Sequence, residues 1–376
     1  MSENIQKIKE FAKKEIVLTV AVVLAIVSMF FVHPDKEYLG YIDWDTLILL
    51  FCLMAVMAGF QKMGVFQKIG TALIDKVNTS RQIVGILVFL PFFFSMLITN
   101  DVALITFVPF AIVVLRMAKQ EKQLVITVVL QTLAANLGSI LTPIGNPQNL
   151  YLYAQSGMQL GEFIKLMLPY TVISGICLFL VLYLVKKETL GSLVDKNFEN
   201  ENEILLWKII AYILVFILCL VCVAKMLKHL ILFGIVIVFI MIVDRDIFKK
   251  VDYSLLGTFA GFFVFIGNVG RIPAFCSFLE SILAGHEKIV AVMASQMISN
   301  VPAALLLSGF SSQWDDLIIG TNLGGLGTLI ASMASLISYK QITREYPQEK
   351  GKYFTLFTAV NIVMLGILLV ADCFIA

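Results

Sequence analysis

Long apolar runs alternate with short polar connections along this chain. A helix crosses the ~30 Å hydrocarbon core of a bilayer with about 20 residues. Nine runs have that character: 16–32, 44–60, 122–142, 163–185, 205–224, 229–243, 253–268, 317–338 and 354–374. Two further apolar stretches are interrupted. Residues 82–116 carry Thr99-Asn100-Asp101 in their middle, and residues 288–310 carry Ser299-Asn300-Val301-Pro302. Polar residues and a proline inside apolar sequence predict two helices meeting at a tip, so both stretches read as re-entrant hairpins. Irregular backbone at membrane depth is tolerated only where protein or a wet cavity covers it. Residues 65–77 alternate Val65, Phe66, Ile69, Leu73 and Ile74 with Gln67, Lys68, Asp75 and Lys76 at helical spacing. That segment, and 272–284 on the other side, are expected to lie in the interface plane.

Composition narrows the class. Hydrophobic residues make up 59% of the 376 and charged residues only 14%, against about 25% charged in a soluble domain. The fold class expected is an all-α polytopic membrane protein, which excludes a soluble enzyme, a nucleic-acid binder and a disordered chain. The six cysteines lie in or beside apolar stretches and read as packing residues. Neither a phosphate-cradling glycine loop, a nucleophile elbow nor a His-Glu metal motif is found, so no enzyme is expected. With the N-terminus placed in the cytoplasm, 22 of the 28 Lys and Arg residues fall in inner segments. This positive-inside bias predicts nine crossings, with the N-terminus inside and the C-terminus outside.

The two halves resemble each other. Ile42-Asp43-Trp44 has a counterpart in Val251-Asp252-Tyr253, and the tips Thr99-Asn100 and Ser299-Asn300 correspond. Asn136-Leu137-Gly138 pairs with Asn322-Leu323-Gly324, and from there the register runs without gaps, Thr142 with Thr328 and Leu150 with Leu336. The predicted organisation is a first repeat over 1–204 with its hairpin on the cytoplasmic side. A linking span follows over 205–224, then a second, inverted repeat over 225–376 with its hairpin on the outer side. Each repeat is expected to contain a broken transmembrane helix. Inverted repeats with breaks at matching places mark secondary transporters, with the substrate held where the breaks converge.

The breaks carry the candidate chemistry. A half-helix beginning at a break offers N–H donors and a partial positive charge to an anion. Four such starts are expected: after Asp101, near Asn146-Pro147, after Val301 and after Gly327. Pro147 and Pro302 suit first helical positions, where a missing N–H costs nothing. Substrate contacts are assigned to Thr99, Asn100, Gly145, Asn146, Pro147, Asn149, Ser299, Asn300 and Thr328. Coupling of an ion is assigned to Asp101, Asn100, Asn136, Gly138, Thr142, Asn300, Asn322 and Gly324, with sodium at Asn100 and Asn300. The competing reading makes these polar groups glue between helices. Asp101 is the only acid or base between Gln82 and Leu115, and an ionisable group at membrane depth is costly. Three roles are open to it: carrying a proton, coordinating a cation, or capping the half-helix that begins at Val102.

The two tips and Ile144-Gly145-Asn146-Pro147-Gln148-Asn149 resemble the ion transporter superfamily. That group includes the divalent anion/sodium symporters, the citrate transporters, the arsenite efflux permeases and one group of sodium/proton antiporters. In the symporters each tip reads Ser-Asn-Thr and holds substrate carboxylate and sodium, which by position implicates Thr99, Asn100, Ser299 and Asn300. Asp101 stands where the symporters have Thr, and an Asn-Asp tip is more like the arsenite permeases. Ala331-Ser332-Met333-Ala334-Ser335 stands where the symporters have a second Pro-Pro-Asn segment. The resemblance implies an elevator movement of a hairpin domain against a scaffold, in a homodimer, with sodium or protons as coupling ion and no other cofactor. The function expected is secondary transport of a small anion (a di- or tricarboxylate, or an inorganic oxyanion) across the bacterial inner membrane, with lipid and no nucleic acid as partner. The rival is an efflux antiporter, for arsenite or antimonite or for sodium against protons. A channel and a receptor are the rivals of other classes.

Overall fold

The computed structural model describes residues 15–74, 77–183, 185–188 and 206–375. Most of these residues fold into seventeen helices of nine or more residues. The first nine are α1 (Ile16–Met29), α2 (Trp44–Lys62), α3 (Val65–Ile74), α4 (Ser80–Phe94), α5 (Asn100–Met117), α6 (Leu124–Ser139), α7 (Pro147–Ser156), α8 (Leu160–Leu182) and α9 (Leu206–Val223). The rest are α10 (His229–Val243), α11 (Tyr253–Val269), α12 (Pro273–Leu283), α13 (Glu287–Ile298), α14 (Asn300–Ser308), α15 (Trp314–Gly324), α16 (Met333–Glu345) and α17 (Lys350–Ile375). From α2 onward the order of a long helix, an amphipathic helix, a hairpin, a broken helix and a long helix occurs once before α9 and again from α11.

Local chemistry sets the ends. Asp43 and Asp252 cap α2 and α11 in the same way, each accepting from the backbone N–H three residues on at 3.0 Å. Gln159 and Glu162 form a capping box at the start of α8. Pro91 removes a donor inside α4 and frees the carbonyl of Leu87, and the buried Gln131 amide fills that place at 2.8 Å. A pure hydropathy reading treats Gln131 as one more polar residue, yet it ties α6 to hairpin α4/α5.

Several predicted boundaries change. Among the described residues α2, α5, α8, α9 and α17 are each long and apolar enough to cross a membrane. The runs 16–32 and 229–243 become helices of 14 and 15 residues, about 21–23 Å at 1.5 Å per residue, which is short of a full crossing. The run 122–142 becomes one helix that stops at Ser139, with a new helix from Pro147, whereas the run 317–338 is broken between Gly324 and Met333. The amphipathic segments are helical as expected, and α12 turns away from α11 by 105°. Residues 75–76 of the first amphipathic segment, and 189–205 of the inner connection, lie outside the described residues.

The most extensive contacts sort the helices into two bodies. One is made of two groups, α9 and α10 packed on α2, and α1 along α11 through the buried Ala21 and Ala25, and α11 touches α14 of the other body more than it touches α2. The other holds both hairpins (α4/α5 and α13/α14), both broken helices (α6/α7 and α15/α16), and α8 and α17. The bodies meet chiefly where α2 touches α7 and α11 touches α14.

Polar contacts gather the helix ends into two rims. Lys62 pairs with Asp244 at 2.7 Å, Arg116 with Tyr346 at 2.9 Å, and Arg81 with the Val185 carbonyl at 3.0 Å. On the other rim Arg271 pairs with Asp35 at 2.7 Å, Gln155 with Asp43 at 2.7 Å, and Lys288 with Asp372 at 2.8 Å. Among the described residues, every ion pair between distant helices joins ends that the charge count assigns to one side.

Candidate functional site

The four breaks lie together in the second body. Thr99 caps α5 and Asn146 caps α7, with Pro147 at the first helical position. The helix after the second tip starts at Asn300, so Pro302 takes its third position and not its first. The fourth start also moves: helix resumes at Met333, not directly after Gly327. The turns and bends of 325–332 between them are held by neighbours. The Gln296 amide donates to the carbonyls of Gly324 and Leu326, both at 2.7 Å, and accepts from the Thr328 N–H at 3.0 Å. Asn300 donates its N–H to the Ala331 carbonyl at 3.0 Å.

Two asparagines bridge the breaks. Asn136 on α6 accepts from Asn100 at the first tip at 3.0 Å and from Ser332 at 3.2 Å, and donates to Ser335 at 3.2 Å. Asn322 on α15 donates to Asn149 at 2.6 Å and accepts from Asn146 at 3.3 Å. The register that pairs Thr142 with Thr328 also pairs Asn146 with Ser332 and Asn149 with Ser335. Each bridging asparagine therefore binds the corresponding two positions of the opposite half. The same register recurs in smaller contacts. The Thr142 hydroxyl donates to the Met96 carbonyl at 2.6 Å, while Thr328 bonds Gln296, which holds the corresponding hairpin position.

The proposed small residues act by letting helices close up. A Cβ on Gly138 would sit 1.9 Å from the Phe92 carbonyl oxygen, and one on Gly324 would sit 2.7 Å from the Ser295 side chain. Each glycine therefore seats a hairpin on a broken helix. Gly145 likewise leaves room for the Ser139 carbonyl, 2.1 Å from where its Cβ would stand.

Asn100, Asn136, Asn146, Asn149, Ser299, Asn300 and Asn322 are all buried. The tips are linked by a short path, from Asn100 through Asn136 and Ser332 to Ala331 and Asn300. Thr328 differs: its side chain is exposed and only its N–H faces the cluster. Asp101 lines a cavity of about 120 Å³ between the two bodies, together with Thr99, Asn146 and Pro147 of the breaks, Gln61 of α2, and Lys250 and Asp252 before α11. Among the described residues no hydrogen-bonding group holds its carboxylate. Capping falls to Thr99 and to Asn100, whose side chain accepts from the Asp101 N–H at 2.9 Å.

Sequence reasoning missed Gln296, Ser332, Ser335 and Ser139. A serine in an apolar helix usually bonds its own preceding turn, as Ser295 does at 2.7 Å, so nothing in the local pattern sets Ser335 apart. Gln296 left a fainter signal, as an amide four residues before a tip asparagine. Replacing Gln296 by Leu is expected to cost about 2–3 kcal/mol, because two carbonyls and an N–H lose their partner. Thermal unfolding in detergent checks this, and a wild-type melting temperature would show that the break holds itself.

An all-helical bundle with hairpins and broken helices meeting at buried asparagines is the architecture of a multi-pass transporter, here of the ion transporter superfamily. The chain belongs to the citrate transporter family, whose sequence profile matches residues 8–311. It is 34% identical over 328 residues to the uncharacterized transporter MJ0456 of Methanocaldococcus jannaschii, covering 86% of this chain and 87% of that one. The inner membrane protein YbiR of Escherichia coli is 30% identical over 322 residues, covering 83% of this chain and 84% of its own length. The silicon efflux transporter LSI3 of Oryza sativa is 32% identical over 179 residues, which is 46% of this chain and 36% of the rice protein.

Proposed function

We propose that the chain is a secondary active transporter of a small anion across the bacterial inner membrane, coupled to sodium or protons. The reciprocal bridging by Asn136 and Asn322 carries this reading, because it makes one site out of four helix breaks drawn from both halves. An anion is favoured by the partial positive charge at the starts of α5 and α7, both of which reach the cavity wall, at Thr99 and Asp101 and at Asn146 and Pro147. Lys250 adds a positive charge at the same cavity, set against the carboxyls of Asp101 and Asp252. Its volume is well below the ~300 Å³ of pockets for drug-sized ligands, so an inorganic oxyanion or a small dicarboxylate suits it better than a tricarboxylate. In this reading sodium is assigned to the Asn100 and Asn300 tips, each of which carries a buried amide.

The two contact bodies suit an elevator, in which the hairpin body moves against α1, α2, α9, α10 and α11 as a scaffold in a homodimer. The matching order of elements and the matched hydrogen bonds support a reading as two inverted repeats, over 1–204 and 225–376. The shared rims support the charge-based orientation, with the basic rim and the N-terminus cytoplasmic. A second reading, proton-coupled efflux, is favoured by Asp101 on the cavity and by the name of the rice relative.

Proteoliposomes given a labelled panel of succinate, citrate and sulfate, with inward sodium and proton gradients imposed separately, test both readings. Uptake of one anion under one gradient is the expected result. No uptake under either gradient, with anion-independent collapse of a proton gradient, would overturn symport and leave efflux.

A further inference from the structure

On a flank of the hairpin body, away from the cavity, α4 and α8 leave an open groove of about 560 Å³. Its walls are apolar, formed by Ile86 and Phe89 of α4 and by Phe179 and Leu182 of α8. The surface around it is apolar as well: Ile176, Phe179 and Leu180 are each more than half exposed, as expected of a face turned to lipid. One end of the groove differs. It closes on the basic rim, at Arg81 and Lys187.

Arg81 is built into place. Its guanidinium donates to the carbonyls of Tyr183 and Val185 at 3.0 Å and lies over the Tyr183 ring, 5.4 Å from its centre. These partners are neutral. Neighbouring Lys186 is matched by Glu188 at 3.0 Å, but among the described residues neither Arg81 nor Lys187 has a carboxylate within ion-pair distance. Among the described residues, two positive charges without a carboxylate partner thus stand where the apolar wall ends.

We propose that this groove is a binding site for an anionic phospholipid of the leaflet at the basic rim. The phosphate sits against Arg81 and Lys187, and one acyl chain runs along α4 and α8. Basic pockets between membrane helices on the cytoplasmic side are suited to such headgroups. A soluble anion would leave the apolar wall unused, and a zwitterionic lipid would bring its own cation to compete with Arg81 and Lys187.

The test uses the whole chain, purified, delipidated and returned to micelles carrying equal phosphatidylglycerol and phosphatidylcholine, with retained lipid counted by native mass spectrometry. Wild type is expected to retain phosphatidylglycerol preferentially, and each of Lys187→Gln and Arg81→Gln to lower that preference about fivefold. Lys187 is exposed and unpartnered among the described residues, so its replacement leaves the fold intact even if that of Arg81 does not. Gly85→Phe fills the groove from α4, where a Cβ meets only Leu182 at 3.4 Å, and is expected to expel the lipid with both cations in place. Equal retention of the two lipids by wild type, or an unchanged preference in Lys187→Gln and Arg81→Gln, would overturn the proposal. So would displacement of the lipid by excess glycerol 3-phosphate alone, or disulfide crosslinking of Phe179→Cys to a second copy in native membranes.

Discussion

Asp101→Asn is expected to reduce gradient-driven transport to background while the protein folds and melts as wild type does. The substitution keeps the shape of the side chain and removes only its capacity for charge and protonation. Capping does not depend on it, since Thr99 and Asn100 already serve the first turn of α5. Packing does not depend on it either, because the carboxylate faces the cavity between the two bodies. A stability change within about 0.5 kcal/mol is therefore expected, the range of substitutions away from buried partners. What Asn cannot do is take up and release a proton or neutralise a cation. A carboxyl group at this depth, lining one cavity with Lys250 and Asp252, is placed to do either. The measurement is transport in proteoliposomes under an imposed gradient, wild type beside variant. Wild-type rates from a well-folded Asp101→Asn variant would remove this residue from coupling and leave the tip asparagines to hold the ion.

The largest loss of stability is expected from Gly138→Ala. The added methyl would stand 1.9 Å from the Phe92 carbonyl oxygen, 2.6 Å from the Ser95 hydroxyl and 2.8 Å from the Phe92 carbonyl carbon. Two of these atoms are backbone, so no rotamer change relieves the clash, and hairpin α4/α5 must move off α6. Overpacking of this kind costs about 3 kcal/mol. The movement also carries Asn100 away from Asn136, so transport should fall with stability. Gly161→Ala and Gly234→Ala are the controls, because nothing lies within 4 Å of a Cβ at either position. Melting curves of the three variants in one detergent decide the matter. Equal curves would mean that the hairpin seat is looser than these distances imply.

Much of the fold can be read from the chain because the bilayer imposes a coarse rule. A run of apolar residues long enough to span must be helical, and a polar interruption must be buried or wet. That rule finds both hairpins and both tips, and the likeness of the two halves in sequence aligns Asn136 with Asn322. It does not find where a break ends. Gly324, Gly325 and Gly327 mark the place where α15 stops, but α16 resumes at Met333 because Gln296 and Asn300, distant in sequence, hold the carbonyls and the N–H of the intervening turns. Nor does it find partners across halves. Asn322 looks the same in sequence whether it faces Asn149 or an empty groove. Ser332 and Ser335 were legible only as a departure from a family pattern, although they occupy in the second half the places that Asn146 and Asn149 occupy in the first.

The crossed bridging has a consequence for how the chain is made. The Asn136 oxygen accepts from Asn100 within the first half, but its amide N–H finds its acceptor in Ser335, a residue 199 positions later. At the usual pace of synthesis that is an interval of about 10–40 s. Throughout it the first half sits in the membrane with a buried amide whose final acceptor has not been translated. The ribosome thus delivers the first broken helix as an unfinished surface, one that lipid, water or the insertion machinery must shield until the last third of the chain arrives.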